Sequence, residues 1–456
     1  MMMQDALPSV KSFFRKAEFT EHAQDFVLRM MIAFMFHIGR MSASQGAVAI
    51  RTNVRHRAQV CRFLHGSGLA NGSEEYQRLA AAVIDMESRR RGRWLFAVDK
   101  TCTSRQGQKT ENTFSTGNRK RRPAKGRRYN KKKNPSKRCQ GFVMGLLITP
   151  SGYRIPFHRC YYTEPYCQQK NLDHHTEAEL AAMLIRSLPV PAGAEVVVLG
   201  DTAYEAASVR EACAERNFQW ITPANPERVL ASDKPRPKLS SRISDLTARQ
   251  FSPIRLTPTQ GDYVAQRRVS TCRIGPKVKT RKFYAHKERL AVHNVGQVQV
   301  VFSTKEKPKN GKPIERKKTK ILMTNNLTWS TAEIVELYDL RWQIELFFKE
   351  LKSTLGFHQY SFVDFAAVET WAECCLITYL YLEWYRAKQF SCRRLSKDAK
   401  RWWNSQRTHG LCHAVAQKAE ETELNRLADW SHTPTGLKKL KRLVRAARPL
   451  EYQIVT

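Results

Sequence analysis

The chain has 456 residues, enough for about three domains of ordinary size, and its formal net charge is +37. So large an excess of lysine and arginine favours a polyanionic partner, above all nucleic acid, because each cation placed against a phosphate releases a condensed counterion. An anionic membrane surface is the alternative, but no apolar run is long enough to span a bilayer, and the first residues lack the apolar core of a signal peptide. The eleven cysteines form no Cys-x-x-Cys pair, which is typical of reduced thiols in a cytoplasmic protein.

Residues 1–90 predict a helical N-terminal domain. Two short helices are expected over 43–51 and 53–65, with Gly66 ending the second, and a longer helix is expected over 74–90. Arginines are frequent along the two short helices. A DNA-reading helix-turn-helix and an ordinary helical hairpin with basic solvent-facing sides both fit this pattern.

From residue 91 the pattern becomes that of an α/β domain, whose first part is predicted over 91–225. The apolar run 94–98 predicts a buried strand that ends in Asp99, and the run 195–200 predicts another that ends in Asp201. Catalytic groups and ligands gather at the carboxyl ends of strands in open α/β sheets, although an acid in this position is often only a turn former. Further strands are predicted at 142–149, 153–157 and 219–222, and helices at 176–187 and 206–216.

Two buried aspartates of one sheet also predict a cation. Close carboxylates repel each other, and burying both is costly unless a cation joins them. Mg²⁺ is the natural choice, because it is a hard ion that takes a few carboxylates and shares phosphate oxygens. The sequence therefore predicts a magnesium site that includes Asp99 and Asp201.

A strongly basic segment, residues 117–138, separates two of the predicted strands. It holds many lysines and arginines and no acid, so it cannot build a core and is expected to stay disordered until it meets a partner. A solvated linker would fit, but its place between strands favours a DNA-phosphate arm, which we call the basic arm. Its expected DNA-binding residues are Arg121, Arg122, Arg127, Arg128, Lys131, Lys132 and Lys133.

Residues 226–318 predict a β-rich insertion that ends in a basic loop. The α/β domain is expected to resume over 319–390, and 391–456 are predicted to be a basic helical C-terminal tail. Within that tail, His409, Cys412 and His413 lie close together, but a fourth zinc ligand is missing and chance clustering is favoured. Strands of the insertion are predicted at 263–270, 281–286 and 297–303, a returning strand at 320–324, and a further helix at 366–386.

The stretch 338–360 predicts an amphipathic helix with a polar strip beside its apolar stripe. At about 100° per residue, four polar side chains fall within a narrow arc of this helix. Ion pairs along the helix would explain their charges, but not why they lie against the apolar stripe. The strip consists of Tyr338, Arg341, Glu345 and Lys352, with Trp342 and Lys349 at its border. Asp339, Gln343 and Glu350 are predicted to face solvent, and Glu350 is predicted to be dispensable.

The order and spacing of the four strip residues resemble the Y-R-E-K signature of bacterial insertion-sequence DDE transposases. The two upstream aspartates after strands, and the β-rich insertion before the glutamate, add to the resemblance, which covers about residues 94–385. One departure is the turn after the second aspartate, where Tyr204 keeps the aromatic residue of the family pattern but no arginine precedes it.

The resemblance implies a ribonuclease H-like fold: a mixed sheet with flanking helices, interrupted by the β-rich insertion. It also implies that Asp99, Asp201 and Glu345 are catalytic and hold two Mg²⁺ ions, for which Mn²⁺ would substitute. The expected reactions are endonucleolytic nicking at the transposon end and attack of the freed 3′-hydroxyl on target DNA. Arg341 and Lys352 would contact phosphates and Tyr338 would hydrogen-bond one, while Trp342 and Lys349 are additional DNA-binding candidates.

The expected partner is double-stranded DNA, both transposon ends and target, bound by a homodimer in the bacterial cytoplasm at the nucleoid. Two alternatives remain: a catalytically silent nucleic-acid-binding protein derived from a transposase, and a nuclease that only hydrolyses. The three carboxylates favour an enzyme, because a binding protein has no need of them. They do not separate a transposase from a nuclease, since the first chemical step is the same.

Overall fold

The computed structural model describes residues 8–37, 41–42, 56–116, 137–231, 236–256, 281–390 and 407–438. The predicted helix at 43–51 and the predicted strand at 263–270 lie outside the described residues. So do the seven candidate DNA-binding residues of the basic arm, Arg121, Arg122, Arg127, Arg128, Lys131, Lys132 and Lys133.

A ten-stranded mixed sheet organises the described part of the chain. Its order is β2-β3-β1-β5-β6-β10-β9-β8-β7, and β4 also pairs with β3. Strands β1, β5 and β6 are parallel, and β10 joins β6 in the antiparallel sense. The strands are β1 (Trp94–Arg105), β2 (Phe114–Thr116), β3 (Lys137–Ile148), β4 (Arg154–Tyr161), β5 (Val196–Leu199), β6 (Gln219–Pro223), β7 (Ser252–Leu256), β8 (Arg281–Val292), β9 (Gly296–Thr304) and β10 (Thr319–Thr324).

Helices flank this sheet, so the α/β prediction is confirmed and the architecture is consistent with a ribonuclease H-like fold. The strands β7 to β9, which sequence patterns assign to an insertion, continue the central sheet through β10. The helices are α1 (Pro8–Phe14), α2 (Glu21–Phe36), α3 (His56–Gly66), α4 (Glu74–Asp85), α5 (Glu164–Lys170), α6 (Glu177–Arg186), α7 (Ala207–Glu215), α8 (Leu239–Asp245), α9 (Thr331–Asp339), α10 (Trp342–Ser353), α11 (Phe365–Phe390) and α12 (Thr408–Ser431).

The long helix α11 lies at the centre of the helical part. It contacts α1, α2, α3, α4, strand β4 and α12, and its side chains are buried almost throughout. Apolar residues occur on every side of this helix, which explains why the N-terminal helices pack around it. None of the helices in the described part of the chain combines the length and apolar character needed to cross a bilayer.

Local sequence signals account for several element ends. Thr176 and Ser330 each form a capping box, the first at the start of α6 and the second at the start of α9. The hairpin between β3 and β4 turns at Gly152, whose φ of 85° is a left-handed conformation that glycine adopts without strain. Helix α4 ends at Asp85 rather than near residue 90, because the exposed residues 88–92 offer no apolar side chain to bury.

Candidate active site

The two candidate aspartates lie at one edge of the sheet. Asp99 is inside β1 rather than after it, which corrects the predicted strand end, because β1 keeps pairing with β3 as far as Arg105. Its parallel pairing with β5 stops earlier, at Ala97 opposite Leu199. Asp99 follows Ala97 by two positions, and Asp201 follows Leu199 by two positions. The two aspartates therefore lie at a similar level along the neighbouring strands. We call this side of the sheet the aspartate edge.

Asp201 serves as a helix cap as well as a candidate site residue. It precedes the short 3₁₀ helix Thr202–Tyr204, and its Oδ1 accepts a hydrogen bond from the Ala203 backbone N–H at 2.8 Å. The turn-forming role that a lone acid after a strand suggests is thus real. It uses one carboxylate oxygen and fixes the orientation of the side chain.

Two helices, not one, carry the polar strip. The predicted continuous helix is interrupted between α9 and α10, at Leu340 and Arg341. The N–H of Leu340 donates to the Leu337 carbonyl at 3.1 Å, and that of Arg341 to the Tyr338 carbonyl at 3.0 Å. These i→i−3 bonds are of the 3₁₀ type and tighten the chain at this point. Both residues keep right-handed helical angles, so the hydrophobic periodicity of the sequence does not reveal the interruption.

Arg341 joins two of the three candidate carboxylates. Its Nη1 donates to Asp99 Oδ2 at 3.1 Å, and its Nη2 donates to Glu345 Oε1 at 2.6 Å. The side chain of Arg341 is only 15% exposed, so both ion pairs are shielded from water. Helix α10 is thereby held against β1 at the level of Asp99.

Strand alternation explains why Asp99 faces this helix. Its neighbour Lys100 pairs with Glu177 of α6 at 2.6 Å. Successive side chains of a strand point to opposite faces of the sheet, so α6 covers one face and α10 the other.

The two other candidate carboxylates act electrostatically on Asp99. The pKa of Asp99 is raised to about 6, mainly because the group is buried. The negative charges of Asp201 and Glu345 raise that pKa further, while the Lys100 backbone N–H and Arg341 oppose the shift. Asp201 and Glu345 therefore both lie within electrostatic range of Asp99.

These acids have the right chemistry for a divalent metal, since Mg²⁺ prefers carboxylate oxygens. In the ranges that the structure describes, however, no three histidine, cysteine, aspartate or glutamate side chains lie close enough together to hold one ion. The guanidinium of Arg341 lies between Asp99 and Glu345 instead. The donor types fit Mg²⁺, and Arg341 supplies the positive charge in this arrangement.

The remaining strip residues differ in exposure. Tyr338 is buried, and burial raises the pKa of its hydroxyl to about 12. The Nζ of Lys352 donates to the Cys102 carbonyl at 3.0 Å, and burial lowers the pKa of this lysine. Trp342 is 55% exposed, and Lys349 is exposed as well. Arg341 and Lys352 thus contact β1, at Asp99 and Cys102, and Tyr338 is the buried end of the strip.

The solvent-facing prediction for Gln343 and Glu350 is wrong. Both are buried, at 4% and 8% exposure. Glu350 forms an ion pair with Arg154 at 3.0 Å and accepts a hydrogen bond from Thr408 at 2.8 Å. Strand β4 and helix α12 cover this face of α10, which a helical projection of one segment cannot show. The prediction that Glu350 is dispensable rested on its facing solvent, so that prediction is no longer supported.

Lys320 is a residue that sequence reasoning missed. It lies on β10, and its Nζ is 4.3 Å from the ring centroid of Tyr338. The residue is exposed overall, but desolvation of its ammonium group lowers its pKa, and the positive charge of Arg341 lowers it further. The only signal in the sequence was a lysine at the start of a strand returning to the sheet.

Arg138, the last residue of the basic arm, is an anchor. It donates to the carbonyls of Gly107 at 3.1 Å and Gln108 at 2.8 Å, and to Thr113 Oγ1 at 2.6 Å. Its guanidinium is engaged in holding the loop before β2, so a role in phosphate binding is better sought among the other arm residues.

In comparisons with known proteins, residues 90–381 match the family described as transposase DDE domain. No curated protein matches the chain. The matched range extends from just before β1 into α11, and it includes Asp99, Asp201 and Glu345. The match covers well over half of the 456 residues. The chain therefore belongs to the DDE transposases, a class of enzymes that cleave and transfer DNA.

Proposed function

We propose that this protein is the transposase of a bacterial insertion sequence. It binds the ends of its element, cleaves DNA there and joins the freed 3′-hydroxyl to target DNA. The observation that carries the proposal is the position of Asp99 and Asp201 at the aspartate edge, with Glu345 joined to Asp99 through Arg341. Family membership and the net charge of +37 support DNA as the partner. Joining two ends requires two active sites, so the working form is a homodimer on DNA, at the bacterial nucleoid.

We further propose that Asp99, Asp201 and Glu345 are the catalytic acids and hold two Mg²⁺ ions, which Mn²⁺ can replace. When bound, the ions supply the positive charge that stabilises the attacking and leaving oxygens of an in-line phosphoryl transfer. The support for this assignment is the carboxylate donor set and the burial that makes Asp99 costly to ionise without a cation.

Arg341 is proposed to change partners when DNA binds. Its planar guanidinium can bind a phosphate through two parallel hydrogen bonds, whereas here it donates one hydrogen bond to Asp99 and one to Glu345. A phosphate that takes the guanidinium leaves both acids available to other cations. In the same way Lys352 would exchange the Cys102 carbonyl for a phosphate oxygen.

The other strip residues are proposed to contact DNA according to their exposure. The exposed ring of Trp342 offers a surface on which an unpaired base can stack. Lys349 is exposed and can reach a phosphate as a point charge. Tyr338 is buried beside Lys320, so its hydroxyl would donate to a phosphate that enters the site.

The test is cleavage of linear DNA that carries the ends of the element, in Mg²⁺, with products mapped on both strands. We expect Asp99→Ala and Glu345→Ala to lose cleavage while a gel-shift assay still shows end binding. Glu336→Ala, which removes a carboxylate from the neighbouring helix α9, is the matched control and should cleave normally. Cleavage by the Asp99 or Glu345 variant at the wild-type rate would refute the assignment.

The same assay separates the alternatives. A catalytically silent protein would bind the ends and leave them intact in any divalent metal. A nuclease that only hydrolyses would cut the ends but form no product joined to a supercoiled target. A transposase gives both the cut and the joined product.

A further inference from the structure

A second concentration of positive charge lies at the aspartate edge, in the segment 305–318 between β9 and β10, which we call the β9–β10 loop. Its position follows from the register of the sheet. Thr324 pairs with Ile221, and Ile221 pairs with Leu199 at the end of β5. Because β10 runs against β5, its first residue Thr319 lies about 17 Å beyond Leu199, on the side where Asp201 follows. The loop therefore projects from the same edge as the candidate acids.

The charge of this loop is unbalanced. Its two acids, Glu306 and Glu315, both pair with Lys318, at 3.3 and 3.1 Å. The six other cations are exposed, and none of them forms an ion pair with another residue in the described part of the chain. They are Lys305, Lys307, Lys309, Lys312, Arg316 and Lys317. Like charges held together in water repel one another, so such a set favours a polyanion.

The β9–β10 loop is anchored to the rest of the protein and is not simply a solvated segment. Ile314 is 8% exposed and packs into the core. The hydroxyl of Thr304 donates to the Glu306 carbonyl at 2.8 Å, and that of Thr319 donates to the Glu315 carbonyl at 2.9 Å. Both ends of the loop are thereby tied to β9 and β10, and its lysines are displayed from a fixed base.

A line of cations connects this loop to the candidate acids. Lys320 lies against Tyr338, and the charges of both Arg341 and Lys305 act on it and lower its pKa. Lys305 is the first residue of the loop, Lys320 lies on β10 two positions after the last one, and Arg341 contacts Asp99. Positive charge therefore lies between the candidate acids and the base of the loop.

We propose that the β9–β10 loop and Lys320 bind the phosphate backbone of double-stranded DNA on the side of the acids away from the basic arm. The strand order supports this geometry: the arm joins β2 to β3 on one side of β1, while β10 lies three strands away on the other, at about 14 Å. DNA held at both places would pass over Asp99 and Asp201. This inference rests on the proposed function and adds a second contact surface to it.

The test compares two triple variants of the whole protein. The loop variant carries Lys307→Gln, Lys309→Gln and Lys312→Gln. The control carries Arg89→Gln, Arg90→Gln and Arg91→Gln, which are exposed and precede β1 at the opposite edge of the sheet. Both variants remove the same charge, so a general field effect would weaken DNA binding equally in the two.

The measurement is the dependence of DNA affinity on salt, using a duplex with the element end and one of unrelated sequence. Each phosphate that the protein no longer neutralises lowers the slope of log K against log salt by about 0.9. We expect the slope of the loop variant to fall by up to about 2.7 on both duplexes, because phosphate contacts carry no sequence information. The control should keep the wild-type slope, and unfolding midpoints should match, since all six side chains are exposed.

Two outcomes would overturn the inference alone: an unchanged slope for the loop variant, or an equal decrease in the control. If the wild-type protein shows no salt-dependent binding to either duplex, the proposed function itself fails, and the inference fails with it.

Discussion

Arg341 shows how one side chain can balance a candidate site that is built from acids. Its guanidinium contacts Asp99 and Glu345 at the point where α9 gives way to α10. The sequence predicted that this arginine would lie beside Glu345, because both fall on one face of a helix. The contact with Asp99, 242 positions away, depends on packing between helix and sheet.

Glu350 belongs to a buried network of two acids and two bases. Arg154 contacts Glu350 at 3.0 Å and Glu383 at 3.3 Å, and Glu383 is also paired with Arg386. Opposite charges that are buried together cost little only while every partner is present. The network links α10, which carries Glu345, to β4 and α11.

Glu350→Ala should therefore destabilise the protein by about 2–3 kcal/mol, since the buried Arg154 would lose the shorter of its two ion pairs and Thr408 would lose its acceptor. The free energy of unfolding in urea measures the effect. Lys349→Ala, on the exposed side of the same helix, is the stability control and should stay within about 0.5 kcal/mol of wild type. Equal stability of the two variants would show that the ion pair contributes nothing.

Glu369 gives a prediction on pH. Burial raises its pKa to about 7, from an ordinary value of 4.5. The ionised carboxylate therefore costs the folded state free energy, a cost that is absent below pH 4.5, grows as the pH rises and is complete above pH 7. Glu369→Gln removes the charge and keeps an acceptor for the Tyr162 hydroxyl. We expect the variant to be about 1–3 kcal/mol more stable than wild type at pH 8.

That difference should shrink as the pH falls through 7 and disappear near 4.5, when urea unfolding is followed across this range. Glu164→Gln, an exposed carboxylate at the start of α5, controls for the removal of a charge and should show no such dependence. A gap that stays constant from pH 4.5 to 8 would contradict the assignment to Glu369.

At the scale of elements, the pairing of β1 with β3 depends on a glycine. Gly145 lies opposite Val98, and a Cβ added to it would meet the Phe96 ring at 2.0 Å. The absence of a side chain at Gly145 lets the fully buried ring of Phe96, on the same strand as Asp99, pack over β3.

Gly145→Ala should cost about 1–3 kcal/mol of unfolding free energy, because the ring must move within a packed core. Thermal unfolding is the measurement. Gly66→Ala is the matched control: a Cβ there meets nothing within 4 Å, so it should be neutral or slightly stabilising. A neutral Gly145 variant would show that Phe96 can move freely.

Most elements of the α/β part were predictable from the sequence alone, and the reasons are local. The apolar runs before Asp99 and Asp201 and the capping boxes at Thr176 and Ser330 each depend on a few neighbouring residues. The features that were predicted wrongly, a strand end and the exposure of a helix face, depend on contacts with distant parts of the chain. Strand β1 continues past Asp99 because β3 supplies partners, and the buried face of α10 exists because β4 and α12 cover it.

At the scale of the whole molecule, the strands that the basic arm connects and the β9–β10 loop flank the strands that precede the candidate acids. The arm joins β2 to β3, and the β9–β10 loop lies across β1, β5 and β6 from those two strands. Charge on both sides would hold a duplex over the acids between them, since phosphate contacts position DNA without reading its sequence.

Neutralising the basic arm should flatten the salt dependence of DNA binding. Substituting Lys131, Lys132 and Lys133 with Gln is expected to lower the slope by about 0.9 for each phosphate that the arm no longer binds. The same three positions changed to Arg keep the charge and should keep the slope. Arg138 must be left intact, because it holds the loop before β2. Identical slopes for the Gln and Arg variants would place the arm away from the phosphates.

The sequence by itself determined the class of partner, the α/β pattern and the identity of the candidate acids. Net charge, hydrophobic periodicity and residue spacing are properties of the chain that need no long-range contact. Only the tertiary structure decided that β7 to β9 extend one sheet with β1, that Arg341 joins Asp99 to Glu345, and that Glu350 is buried. Each of these features depends on pairing or packing between segments far apart in sequence. The energy of such a contact depends on the distant residue that is contacted, which the local sequence pattern does not specify.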